Sequence, residues 1–157
     1  MFGFPYELEH LFSYNAVLQT PREVIGPVAV GLRVNSLVVS GEITGPRLRG
    51  RVRPGSGGDW LTIRTDGVMV LDVRATLEAD DGALIYLTYG GVIDLGLDGY
   101  ERALTGEPIP DGTPIRTAPL FQTAHPGYIW LNRVQCLGIG QVFRSRSEVC
   151  FDIYAVR

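Results

Sequence analysis

Asp59 and Asp72 are the two acids in this chain whose neighbours suit chemistry. Asp59 leaves the Gly-rich run Pro54-Gly55-Ser56-Gly57-Gly58 and stands directly before Trp60, so a carboxylate and an aromatic ring meet at a loop exit. Asp72 precedes Arg74 by two residues in an alternating stretch, which puts both on one strand face. A carboxyl in an apolar barrel mouth has a raised pKa and can serve as a general base. Arg74 can hold Asp72 ionised, or clamp a carboxylate or enolate of a ligand. Tyr86 can donate a hydrogen bond or a proton, and Asn132 can orient a carbonyl. Asp72, Arg74, Tyr86 and Asn132 thus form the expected catalytic set. Asp59, Trp60, Phe121, Thr123, Tyr128 and Trp130 form the expected binding wall. Aromatic residues mixed with a few placed polar groups are what ligand pockets use. The chemistry they suit is proton transfer on an aromatic or polyketide-like molecule: isomerisation, cyclisation or elimination, with no cofactor.

A second reading of the same residues stays open. If the polar strand faces are outside, Asp72 and Arg74 are a surface ion pair, and Trp60 and Trp130 are packing residues. The barrel is then a filled structural or oligomerising module, whereas a non-catalytic carrier would use the same lumen as the enzyme. Other candidates are weaker. His10 lies in the apolar face of the first strand and reads as a packed, hydrogen-bonded residue, while His125 precedes Pro126 in a turn. No cluster has metal-ligand spacing, so no metal is expected. The Gly-rich loop opens a strand, where a phosphate cradle opens a helix. Arg47, Arg49, Arg51 and Arg53 fall on one strand face, either as a wet face that blunts association or as a rim that steers anions. All 14 basic residues are Arg, which excludes Schiff-base chemistry from a lysine side chain.

The elements that must position these residues are strands. Residues 8–18 alternate, with Leu8, His10, Phe12, Tyr14, Ala16 and Leu18 on one face. Gly26-Pro27 reads as a turn, and 28–43 as one long strand or two short ones. Residues 47–53, 59–64, 68–78 and 83–89 read as further strands, the last two joined by the hairpin signal Asp80-Asp81-Gly82. Residues 98–105 are the one expected helix, stopped by Gly106 and Pro108. Residues 114–123, 127–137 and 148–156 complete the set. The expected fold is all-β: a closed, calycin-like antiparallel barrel of about nine or ten strands with one short helix. A sandwich is the alternative.

At 157 residues the chain is one domain, 1–157, able to bury its own core. The net charge of −3 argues against nucleic acid, which needs a basic surface. Cys136 and Cys150 belong to no CxxC pattern and read as free thiols, which fits the cytoplasm. No secretory leader is expected at the N-terminus, and no apolar run nears the ~20 residues of a membrane span. The expected partner is therefore a hydrophobic small molecule. A homodimer is expected only if apolar outer faces need cover.

Several segments together resemble the bacterial and fungal domain-of-unknown-function family 3237. They are Gly41…Gly45-Pro46…Leu48…Gly50…Pro54-Gly55…Asp59-Trp60, Asp66-Gly67…Leu71-Asp72-Val73-Arg74 and Asp80-Asp81-Gly82-Ala83-Leu84-Ile85-Tyr86. To these are added Arg116-Thr117…Pro119…Phe121…Thr123, Tyr128…Trp130-Leu131-Asn132 and Asp152…Tyr154. The resemblance spans nearly the whole chain. It implies a small antiparallel barrel of about this length and favours a lumen that takes a ligand. Gln122 stands where many members carry Glu, which weakens any role for an acid there.

Overall fold

Alternation along the strands decides the architecture. The computed structural model describes residues 1–157. Its strands are β1 (Leu8–Leu18), β2 (Glu23–Val28), β3 (Gly31–Thr44), β4 (Gly50–Val52), β5 (Gly58–Ile63), β6 (Val68–Ala79), β7 (Leu84–Asp94), β8 (Thr113–Thr117), β9 (Leu120–Gln122), β10 (Cys136–Phe143) and β11 (Glu148–Val156). One helix, α1 (Gly99–Leu104), follows β7. Eight strands close an antiparallel ring in the order β1-β3-β5-β6-β7-β8-β10-β11 and back to β1. The other three lie outside the ring path: β2 on β3, β4 across β3 and β6, and β9 on β7. The expected closed barrel with one short helix is therefore the fold.

Closure removes every sheet edge from the ring, and it leaves one interior. The apolar parity of each strand takes it. On β6, Met69, Leu71, Val73, Ala75 and Leu77 point in, while Asp72 and Arg74 point out. The β6–β7 hairpin runs in unbroken register from Val68↔Asp94 to Glu78↔Leu84. Its turn is the Asp80-Asp81-Gly82 signal, closed by the Asp81 carboxylate accepting from the Ala83 N–H at 3.1 Å.

The strands differ from the sequence reading in several places, and most of β2 and of β10 lie where that reading has none. Gly26 and Pro27 pair with Arg33 and Leu32 inside β2, just past a bulge at Ile25, and the chain turns two residues later. Of 47–53 only Gly50–Val52 pairs, so the four arginines do not share one strand face. Arg47 and Arg51 go to separate carboxylates, Glu9 and Glu78. The stretch 114–123 is two strands because Pro119 has no N–H to give the ladder. Residues 129–133 form a 3-10 turn in place of a strand. Asn132 accepts from the Thr123 N–H at 2.8 Å and donates to its carbonyl at 2.9 Å, drawing that segment out of the sheet.

The two ends of the barrel are filled differently. Leu11, Phe12, Leu77, Ile85, Leu87, Leu131, Cys136, Ile153 and Ala155 pack the closed end solid. A ladder slip between His10 and Phe12 lets Leu11 and Phe12 both be buried there. Midway up, the Phe151 ring lies stacked on Tyr14 (5.2 Å) and edge-on to Tyr89 (5.8 Å). It can lie so close to the sheet because β10 has no side chain at Gly140. A Cβ there would stand 2.3 Å from the Cys150 carbonyl and 2.5 Å from Phe151 Cδ1. Gly140→Ala is expected to destabilise the protein by about 1–3 kcal/mol through overpacking. Urea unfolding measures the loss, and near-UV circular dichroism reports the disturbed aromatic cluster.

Candidate functional site

The open end holds a cavity. Helix α1 and the 105–112 connection roof it, and Leu32, Val34, Leu61, Ile63 and Met69 wall it, enclosing about 440 Å3. A narrower apolar throat of about 50 Å3 lies below and shares Arg22, Leu61, Met69 and Ile109 with the cavity above. Asp59, Ser36, Tyr89 and Phe151 line that throat.

Asp59 points inward because of its register. It stands opposite Ser36 of β3 and Val73 of β6, both buried inside the ring. Oδ1 accepts from the Asp72 N–H at 2.9 Å, so one carboxylate oxygen is anchored. Burial pushes the carboxyl up to about 6; the Asp72 N–H and the nearby Arg22 and Arg33 charges hold it from rising further. Such a group changes protonation near neutral pH, as a general base does.

Two phenols stand near it. Burial raises the pKa of Tyr14 and Tyr89, and the Asp59 charge adds to both effects. Both therefore stay protonated at neutral pH. The Ser36 hydroxyl is buried with no hydrogen-bond partner. Arg22 and Arg144 enter the cavity wall from turns at the mouth.

The catalytic set expected from the sequence is corrected by this placement. Asp72 and Arg74 lie on the outer face, 53% and 50% exposed, as an ion pair at 3.2 Å. Arg74 also covers the Trp60 ring at 5.8 Å, on the same outer surface. Tyr86 is 40% exposed on the outside of β7, opposite Thr76 and Gln122. The cause is common to all three: with one interior, the apolar parity displaces the polar one. Asn132 is exposed and serves as the backbone latch on Thr123. Thr123 in turn donates from Oγ1 to the Leu84 carbonyl at 2.8 Å.

The expected binding wall divides as well. Phe121 is buried edge-on to Phe12 at 5.8 Å in the closed end. Tyr128 donates to Asp81 at 3.2 Å, and Trp130 sits under the Arg47 guanidinium at 4.5 Å. Those residues close the end of the barrel opposite the cavity. Of all the residues singled out, Asp59 is the one that reaches the cavity. His10 is a half-exposed surface residue, with Nε2 3.1 Å from Ser13 Oγ, and Ser13 donates to Asp152 at 2.5 Å. Cys136 and Cys150 are both free, as expected.

Tyr14, Tyr89, Ser36, Arg22 and Arg144 were not foreseen. The first three had a signal, since each shares the apolar parity of its strand. Arg22 and Arg144 come from turns, where no period reports direction.

Comparison with known proteins gives one family. The family described as "Protein of unknown function (DUF3237)" matches residues 6–156. A UPF0311 protein of Rhodopseudomonas palustris is 33% identical over 132 residues, covering 83% of this chain and 84% of that one. The structure of a β-barrel-like protein from Acinetobacter baumannii superimposes with a TM-score of 0.83 at 28% identity, covering 98% of this chain and 97% of the other. An enzyme from Penicillium herquei shares the fold, with a TM-score of 0.72 at 23% identity over 98% of this chain and 96% of its own.

The raised carboxyl has a consequence for stability. Unfolded, Asp59 titrates near 4; folded, it titrates at about 6. Between these values the folded state holds a proton that the unfolded state has released, so stability falls as pH rises from about 4 to above 6. Asp59→Asn keeps the acceptor for Asp72 and removes the buried charge. It is expected to be more stable than wild type at pH 7.5, by about 1–3 kcal/mol once screening at a half-buried group is allowed for, and equal to it below pH 4. Urea unfolding at the two pH values checks this. A variant less stable at pH 7.5 would mean that partners hold the carboxylate more strongly than burial opposes it.

Proposed function

The chain belongs to the DUF3237 family, and from its barrel we propose that the mouth cavity takes a small molecule with an apolar body and that Asp59 moves a proton on it. The observation that carries this reading is a carboxyl with a pKa of about 6, facing inward on an apolar throat beneath an open cavity of about 440 Å3. That volume falls in the usual range of ligand pockets. The likeness to the Penicillium herquei enzyme is one of architecture and lends the residues no role.

The step follows from the groups at hand. The Asp59 carboxylate takes a proton from a carbon beside a carbonyl, or from a hydroxyl. The electron pair passes to the substrate's oxygen. The Tyr89 hydroxyl, which lines the same throat and stays protonated, stabilises that oxygen by a hydrogen bond. Return of the proton from Asp59 to another atom completes an isomerisation; attack of the anion on a second carbonyl or activated alkene of the same molecule opens that π bond, and the new anion takes the proton back from Asp59 to complete a cyclisation. No redox partner is required. The rate rises with pH through about 6, as Asp59 ionises.

Hydrogen–deuterium exchange tests the step without the natural substrate. In D2O, wild type is expected to speed loss of the α-proton signals of 2-tetralone in the NMR spectrum. Asp59→Asn is expected to slow that exchange at least about 10²-fold, while still binding the probe. Binding without any exchange in wild type identifies a carrier and removes the catalytic reading.

A further inference from the structure

Two cations stand in the mouth of the barrel outside any ion pair, with the deeper Asp59 carboxyl the one anion whose charge reaches Arg22. Arg22 enters after β1 and Arg144 after β10, and both line the cavity. Arg22 Nε and Arg144 Nη1 are buried and have no hydrogen-bond partner. Neither guanidinium belongs to any ion pair of the chain. Burial and the nearby Arg144 charge lower the Arg22 pKa to about 10 while the Asp59 charge raises it, so Arg22 remains a cation at neutral pH.

The other charged groups of the wall are accounted for. Arg102 is paired in charge with Asp98 and Glu107, both at 3.3 Å, and donates to the Leu95 carbonyl, although its buried Nε also lacks a hydrogen bond. Asp94 accepts from the Gly96 N–H at 2.9 Å. Asp59 lies deeper, tied to the Asp72 N–H. Two unpaired like charges in a partly buried wall are costly to keep. A bound anion removes that cost. The guanidinium fork matches a planar carboxylate with paired N–H donors. Asp94 and Glu107 on the same wall disfavour a dianion such as phosphate, and the aliphatic lining disfavours a wholly polar ligand.

We propose that the ligand is a carboxylate with an apolar body, held at the mouth by Arg22 and Arg144 while the body enters the throat toward Asp59. This rests on the mouth cavity being the ligand site.

Titration calorimetry at pH 7.5 with 2-naphthoate and 2-naphthamide tests it, because the two probes share shape and differ in charge. Wild type is expected to bind the naphthoate at least about tenfold more tightly. Arg22→Gln and Arg144→Gln are each expected to remove most of that preference and leave the naphthamide within about twofold. Should either Gln variant fail to fold, Arg22→Lys and Arg144→Lys keep the charge without the fork and are expected to weaken the preference in part. Equal affinity for the two probes in wild type overturns the carboxylate assignment while leaving the cavity as a ligand site. Binding of neither probe up to millimolar concentration overturns both.

Discussion

A closed ring of antiparallel strands has one inside, and every strand must send alternate residues into it. That constraint governs this molecule more than any single contact. Eight strands give an interior that side chains can just fill. Where large residues crowd it, as at Phe12, Leu77, Ile85 and Leu131, the barrel is solid. Where the inward residues shorten to Ala16, Val34, Ser36 and Val38, room remains for a cavity and its throat. One end is therefore packed through, and the other keeps a cavity.

The cost of that division is concentrated at a few polar groups. Asp59 is brought inside by its register against Ser36 and Val73. A carboxylate there loses much of its hydration, which is why its pKa rises. The phenols of Tyr14 and Tyr89 are spared a similar difficulty because each stays neutral. Phe151 fixes both rings from below and is itself admitted by the bare backbone of Gly140. Asp59 and the two phenols thus sit on strands, whose positions the ladder holds, and the cations Arg22 and Arg144 sit on turns at the mouth. A site of this kind joins a rigid floor to an adaptable rim, as in many barrels that bind small molecules.

The surface pair Asp72–Arg74 is instructive beside Asp59. All three belong to adjoining strands, and all three looked alike as residue types. The pair is half-exposed, and each member answers the other in high dielectric, so its effect on stability is small. Asp59, facing the other way across the same sheet, has its chemistry changed by burial. The difference is parity on a strand, a shift of one residue.

Composition, strand periodicity and turn signals determined the class of the molecule: an antiparallel barrel, its β6–β7 hairpin, its single helix and its free cysteines. These are local properties, and short-range backbone preferences carry them. They also marked Asp59, through its place at a loop exit beside Trp60. Which parity faced in was already written in Met69, Leu71, Val73, Ala75 and Leu77, since apolar surface is what a closed interior takes. Only the tertiary structure decided the rest. It brought Arg22 and Arg144, 122 positions apart in the chain, to one cavity wall. It set Tyr14 against Tyr89, and sent Asn132 and Trp130 to the far end of the barrel. Turn residues carry no period from which direction can be read, and contacts between distant strands exist only once the ring has closed.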